Sequence, residues 1–354
     1  MGGIRARLFL QALSALFCPL LVLGMAGSAA GAEPDAVFQR SPTKGGAPAR
    51  WNGTITEYTG KELRMTLAVG GREQVIPADK IERIETTYTP EQLGADKLFA
   101  AGKFEAALAQ YANALKSAEK RNWVRRQILA QQVWCYRSLG QLGLAMRTFQ
   151  ALVESDPETP YFDAVPLVWM AGEPPATLER DALTWLESRE SALDVLVGVS
   201  ILMSGPKRAR AMERANELLS HGDPRIVWLA QAQLWRGAAA TASEQQLQDW
   251  DRAIEKIPPT LAAGPLYVVG AEMARRKQGD AAALRLLKLP ILFPRERLLS
   301  ANALMTAGDA LQKTNKPEEA AGLFREVLAS YGEMSDLKAE ASSRLADLER
   351  APPP

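Results

Sequence analysis

The stretch that decides the fold is residues 102–115, GKFEAALAQYANAL. Its glycine and lysine precede Phe104, Ala107 and Tyr111, which fall at helical spacings on one face. This spacing predicts a turn that leads into an amphipathic helix with one side buried. A looser copy of the pattern begins at Gly140. Recurrence of one turn-and-helix unit indicates an array of helical hairpins.

The helix before this turn is predicted to begin at Thr89, which is followed by Pro90 and Glu91. Threonine caps a helix N-terminus, proline is tolerated at the first helical position, and an acid is favourable near the positive end of the helix dipole. Gly102 ends this helix. The first hairpin is therefore expected from residue 89 onward.

The first hairpin resembles a tetratricopeptide repeat, a helix-turn-helix unit of about 34 residues. The family's turn glycine, aromatic, alanine and second aromatic correspond to Gly102, Phe104, Ala107 and Tyr111, and Ala114 supplies the second small residue. The resemblance implies that small side chains stand where helices cross closely.

Two further copies follow the same resemblance. The second offers Gly140, Leu142, Ala145 and Phe149 and ends at Asp156-Pro157, but it departs from the family at Val133 and Leu152. The third is C-terminal and includes Ala303, Leu304, Gly308, Ala320, Phe324 and Val327, with Pro317 in the usual aromatic place.

Between these copies, less regular helices are predicted. They cover residues 176–189, 192–203, 207–220, 224–236, 244–256, 261–278 and 281–289. Residues 161–175 are apolar and proline-rich and predict a packed loop, and residues 335–350 predict a capping helix with a polar outer face. The expected fold class is mainly α, a tetratricopeptide-like α-solenoid over residues 89–350 with clear repeats near 89–157 and 301–330. Residues 351–354 are a loose tail.

Residues 51–88 show a period of two instead. Leu63, Met65 and Leu67 alternate with polar residues, and Gly70-Gly71 is a hairpin signal. Four short strands, or five if residues 35–40 form one, predict a small all-β barrel. The pattern resembles SH3-like and Sm-like barrels. Sm-like relatives bind RNA, but their basic loops are not evident here.

The first 32 residues have the form of a signal peptide. A basic start with Arg5 and Arg7 precedes an apolar run interrupted by Pro19, and Ala30 and Ala32 are the small residues that a signal peptidase reads. Cleavage is expected after Ala32, with residues 33–50 as a linker and an exported, bacterial, periplasmic or extracellular location. A retained anchor and lipidation at Cys18 are the alternatives.

No catalytic constellation stands out. The chain has one histidine, His221, and Cys135 is the one cysteine outside the signal segment, so zinc sites and nucleophilic triads are not expected. We predict no enzymatic activity, no cofactor and no metal. The formal net charge of +1 offers no field for nucleic acid or an anionic membrane. The tryptophans are scattered along predicted apolar faces and are expected in the core.

The predicted function is that of a scaffold or adaptor that binds proteins or peptides through a concave helical surface in the cell envelope. In the family, groove-facing positions of the first helix of each repeat bind extended peptides. Carried over by register, these positions are Gln92, Asp96, Gln127, Trp134, Arg137, Asp309, Gln312 and Lys313. The alternative is a cell-wall or polysaccharide-binding module with the solenoid as a spacer, which should show a row of exposed aromatic side chains.

Overall fold

The computed structural model describes residues 34–43 and 45–350, all within one compact unit that begins at Pro34. The predicted signal segment and the C-terminal tail lie outside the described residues. The fold is mainly helical, with a small antiparallel sheet of five strands at its N-terminal end.

The sheet is built from consecutive short strands. They are β1 (Asp35–Gln39), β2 (Ala49–Tyr58), β3 (Glu62–Leu67), β4 (Glu73–Pro77) and β5 (Ile81–Glu85). Their order is β4-β3-β2-β1-β5, with every neighbouring pair antiparallel. Val37, the middle residue of β1, lies opposite Trp51 of β2 on one side and Ile84 of β5 on the other. The period of two therefore identified real strands, and β1 supplies the fifth.

The helices follow without a further strand in the described part of the chain. They are α1 (Pro90–Ala100), α2 (Phe104–Asn113), α3 (Asn122–Ser138), α4 (Leu142–Ser155), α5 (Ala176–Leu186), α6 (Ala192–Leu202), α7 (Arg208–Leu218), α8 (Pro224–Ala238), α9 (Glu244–Ile254), α10 (Ala263–Arg275), α11 (Gly279–Leu286), α12 (Lys288–Leu292), α13 (Arg297–Lys313), α14 (Pro317–Ser330) and α15 (Ser335–Arg350). None of these helices combines the length and apolar character needed to cross a membrane.

Local signals account for the first hairpins. The Thr89 hydroxyl accepts a hydrogen bond from the backbone N–H of Gln92 at 3.2 Å, which caps α1. Gly102 and Gly140 have φ of +70° and +69°, the left-handed region in which a side chain is disfavoured. Each glycine lies at the turn between two helices that pack on each other, α1 and α2 at Gly102 and α3 and α4 at Gly140.

Some boundaries differ from the expected ones. Residues 261–278, expected as one helix, begin with a 3₁₀ turn at Pro259–Leu261 and continue as α10. Residues 281–289 are divided at Leu287 between α11 and α12. After α2, Ala114–Ala118 form a π turn in which the N–H of Glu119 bonds the carbonyl of Ala114 at 3.0 Å. Periodicity locates a helical segment, but it does not register such changes of helix type.

The sheet and the first helices share one hydrophobic core. Val37, Leu63 and Ile76 of the sheet pack in the same buried cluster as Tyr111 of α2 and Trp123 of α3. Arg126 of α3 reinforces this junction by donating to the carbonyl of Tyr58 at 2.7 Å and pairing with Glu57. The sheet is thus packed directly onto α1 to α3, and the remaining helices bury a second, larger cluster.

The chain also folds back so that early and late hairpins touch. Arg137 of α3 donates two hydrogen bonds to Glu296, 159 residues later, at 2.8 and 2.7 Å. Gly102 lies beside Glu333, since a Cβ at residue 102 would be 3.1 Å from its carboxyl carbon. These contacts bring the turn of the first hairpin against the segment that precedes α15.

Candidate functional site

Two adjoining cavities lie where the early and late hairpins meet. The inner cavity has a volume of about 170 Å³ and the outer cavity about 420 Å³, and both are lined by Trp134, Arg295 and Glu296. We call the two together the Trp134 hollow. Its walls come from α3, from residues 161–170 and from residues 292–299.

Trp134 of α3 lines both cavities. Only 3% of its surface is exposed. The guanidinium of Arg137, one turn later, lies 4.2 Å from the centroid of the indole ring. This is a cation–π contact, and the same guanidinium forms the bidentate pair with Glu296. Tryptophan, arginine and glutamate therefore hold one another in fixed positions at the base of the hollow.

The loop between α4 and α5 forms a second wall. The structure confirms that this apolar, proline-rich segment is packed, since Val165, Leu167 and Trp169 are all buried. Trp169 lies against the backbone of Gly264 in α10, where an added Cβ would come within 1.9 Å of the indole. Only glycine permits this approach, so Gly264 fixes the position of the wall.

One arginine at the edge of the hollow has no ion-pair partner among the described residues. Arg295 is exposed and makes no ion pair or hydrogen bond with any described residue. Glu296 is already paired with Arg137. Asp163, which lines the outer cavity, lies beyond ion-pairing distance, and burial raises the pKa of its carboxyl although the charge of Arg295 opposes that rise. A ligand would therefore meet apolar side chains and the Arg137–Glu296 pair at the base, with the guanidinium of Arg295 beside them.

The predicted groove residues of the first two hairpins have different positions. Trp134 and Arg137 lie in the hollow. Gln92 is completely buried, so its side chain faces the core and not an open surface. Asp96 accepts a hydrogen bond from the hydroxyl of Tyr111 at 2.5 Å, and Gln127 accepts one from Tyr88 at 3.1 Å. Internal partners thus occupy the side chains of Asp96 and Gln127.

The predicted C-terminal groove residues do not line the hollow either. Asp309 forms an ion pair with Arg344 of α15 at 2.8 Å, so the last helix covers it. Gln312 is half-buried and Lys313 is exposed. These residues were predicted from their positions in the family's repeat. The contacts of α15 determine which of their side chains a partner could reach.

Sequence reasoning missed Asp163, Arg295 and Glu296. Arg295 and Glu296 lie in the connection before α13, and Asp163 lies in a single 3₁₀ turn (Phe162–Ala164) between α4 and α5, where no repeat register applies. The available signal was the run LFPRER at residues 292–297, in which apolar residues adjoin three charges at the start of α13. Such a run at a loop is a pointer to a binding surface, because loops carry function more often than helix interiors do.

Other candidate chemistry is not brought together. No group of three or more His, Cys, Asp or Glu side chains among the described residues is arranged to hold a metal ion. Burial raises the pKa of the Cys135 thiol to about 12. The large apolar side chains exposed in the described part of the chain are all aliphatic: Val69, Val75, Leu93, Leu144, Leu284, Ile291 and Leu292.

No family model matches the chain, and no curated protein is significantly similar to it. Its function is therefore inferred from the geometry of the hollow.

Proposed function

We propose that this protein is an exported scaffold of the bacterial cell envelope that binds a segment of another protein in the Trp134 hollow. One observation carries the proposal: two apolar cavities share a buried tryptophan and adjoin an unpaired, exposed arginine. Tryptophan and arginine are the side chains most enriched at the energetic centres of protein interfaces.

The chemistry of the hollow indicates the kind of segment it accepts. An apolar side chain would enter the outer cavity, which is bordered by the exposed Leu292 and by Phe293. An adjacent aspartate or glutamate would pair with Arg295, which forms no ion pair with a described carboxylate. The preferred ligand is therefore an acidic segment with at least one large apolar side chain.

We further propose that the helices form a tetratricopeptide-like solenoid and that the sheet is an SH3-like barrel. The packing of α1 on α2 and of α3 on α4 supports this, as do the left-handed glycines at their turns. The contact of Arg137 with Glu296 supports a groove that is narrowed at its centre. Binding is then concentrated in the hollow and not spread along an open concave face.

Export is proposed from residues 1–32 alone, with cleavage after Ala32. The polysaccharide-binding alternative receives no support from a specific observation, because the large exposed apolar side chains of the described residues are aliphatic. A glycan-stacking surface requires accessible aromatic rings.

Site-specific photocrosslinking in cells tests the proposal. A benzophenone amino acid replaces Thr260, which is exposed and lines the outer cavity, and the matched control replaces Val69, which is 88% exposed at the turn after β3. We expect a discrete polypeptide adduct from position 260 only, and its loss on Arg295→Glu.

A binding assay with synthetic peptides then tests the chemistry. Two peptides of equal leucine content, one rich in aspartate and one rich in lysine, are titrated against the protein by fluorescence anisotropy. The acidic peptide should bind and should lose affinity on Arg295→Glu. Equal adducts from residues 260 and 69, or equal affinity for both peptides, would overturn the proposal.

A further inference from the structure

A third cavity shares Trp169 with the inner cavity of the Trp134 hollow but has otherwise different lining residues. It has a volume of about 410 Å³ and is bordered by α8, α10 and the end of α6. We call it the Arg236 pocket. Its lining combines the apolar surfaces of Trp169, Met203 and Tyr267 with three arginines, namely Arg208, Arg236 and Arg275.

The charges in this pocket do not balance. Glu272 is its one acidic lining residue, and it is already paired with Arg275 and, outside the pocket, with Arg276 at 2.6 Å. Arg208 and Arg236 have no carboxylate partner among the described residues. The pocket therefore holds two more positive than negative groups.

Arg236 is the positive group of the pocket whose charge is least favourable where it lies. Its terminal nitrogens donate to five neutral acceptors, among them the carbonyls of Ser200 at 2.7 Å and Met170 at 2.6 Å and the hydroxyl of Ser204 at 2.6 Å. Its Nε–H makes no hydrogen bond with a described residue. Burial lowers the pKa of Arg236 to about 10, which reflects the cost of a charge held away from water without a counter-ion.

The rim offers further donors. Arg208 is exposed and makes one hydrogen bond, from Nη2 to the carbonyl of Gly237, which leaves Nε and Nη1 without a described partner. Ser204 is also exposed beside it. Arginine donors in a fork suit the oxygen atoms of a carboxylate or phosphate, and a low-dielectric base strengthens the attraction.

We propose that the Arg236 pocket binds a small organic anion, with its oxyanion head between Arg208 and Arg236 and its apolar body against Trp169 and Tyr267. The anion supplies the counter-charge that Arg236 lacks within the fold. A pocket of this volume, mostly apolar with a few convergent polar groups, has the character of a small-molecule site. This inference is independent of the proposed peptide binding at the Trp134 hollow.

Isothermal titration calorimetry of the intact protein tests the inference with three probes. Phenyl phosphate carries an oxyanion head and an apolar body, inorganic phosphate carries the head alone, and benzyltrimethylammonium carries the opposite charge. We expect phenyl phosphate to bind most tightly, inorganic phosphate more weakly and the cation not at all. Raising the salt concentration should weaken the phosphate probes, because part of their binding is electrostatic.

Variants locate the site. Arg208→Gln should weaken phenyl phosphate binding about ten- to hundredfold, the loss expected for a charge-assisted hydrogen bond. The matched control is Arg210→Gln, two residues later on α7, whose side chain pairs with Glu187 and Glu213 away from the pocket. Ser204→Asp places a negative charge at the rim and should abolish binding.

The Arg295→Glu variant separates this site from the Trp134 hollow, because it should leave phenyl phosphate affinity unchanged. Equal binding of the anionic and cationic probes, or an equal loss of affinity in the Arg208 and Arg210 variants, would overturn the inference.

Discussion

The ion pair between Arg137 and Glu296 should hold the early and late hairpins together. We predict that Arg137→Met destabilises the protein by about 3–5 kcal/mol, the cost of leaving a buried charge without its partner. The pair justifies this range because 10% of the arginine side chain and 13% of the glutamate side chain are exposed, so solvent screens little of the interaction. The substitution also removes the contact between the Arg137 guanidinium and the indole ring of Trp134.

A double-mutant cycle isolates the pair from other effects. Glu296→Met alone should cost a similar amount, whereas the double variant should lie within about 1–2 kcal/mol of the wild type, because an apolar pair of similar volume carries no unpaired charge. The coupling energy should therefore be large and favourable. The control is Arg252→Met, which breaks an exposed pair with Asp249 on α9 and should leave stability unchanged.

Urea unfolding followed by circular dichroism at the helical minimum measures these values, with the slope checked for constancy among variants. Peptide binding at the hollow should fall in Arg137→Met, since the base of the hollow loses its fixed geometry. A cost below about 1 kcal/mol for Arg137→Met would refute the reasoning, because a buried charge cannot lose its partner so cheaply. The early and late hairpins would then be held together by other contacts.

Three further predictions concern single residues. Gln92→Met should stabilise the protein by about 1–3 kcal/mol in urea unfolding, because both polar atoms of the buried amide lack a partner among the described residues; a loss of stability would contradict this. Burial raises the pKa of the Asp163 carboxyl above its ordinary value of 3.8. The protonated carboxyl therefore stabilises the folded state fully below pH 3.8, and this stabilisation is lost as the pH rises through the raised pKa. The melting temperature of Asp163→Asn should therefore exceed that of the wild type increasingly from about pH 4 to pH 7, and a constant difference would argue against the shift. Cys135 should react with a thiol reagent only after denaturant unfolds the protein, because the thiol is completely buried and its pKa is about 12; rapid labelling of the native protein would show that α3 opens locally.

The contact between Arg137 and Glu296 changes which surfaces of the helices a partner could reach. An open groove would present the first helix of each hairpin along its length, whereas Asp309 here is paired with the last helix and Gln92 is buried in the core. Accessible binding chemistry is left in the irregular connections that surround Trp134. Variants in these connections, and at Trp134 and Arg137 beside them, should alter recognition.

The two proposed sites share Trp169, which lines both the inner cavity and the Arg236 pocket. Their chemistries differ, since one adjoins an exposed arginine without an ion pair and the other contains a half-buried arginine that bonds only neutral acceptors. An added methyl group at Gly264 would collide with the indole ring of Trp169. Substitution of Gly264 should therefore disturb both sites together by displacing Trp169.

Much of the local structure was decided by the sequence itself. Thr89 and Pro90 specify where α1 begins, and Gly102 specifies the turn after it, because capping and left-handed backbone are properties of single residues. The alternation around Leu63 and Met65 specifies a strand with one buried face, and both side chains are completely buried. These features depend on neighbours close in the chain, and a periodic pattern records them.

The candidate sites were decided by the tertiary structure. Periodicity states that one face of a helix is buried, but it does not name the element that covers that face. Arg137 meets a glutamate 159 residues away, and no pattern in either segment encodes that partner. The surroundings of Arg295 and Arg236 are determined in the same way, by the packing of distant segments. Arg295 is left without an ion-pair partner, and Arg236 is surrounded by neutral acceptors. Local signals therefore predicted the helices and strands, whereas long-range packing determined which charges remained available for binding.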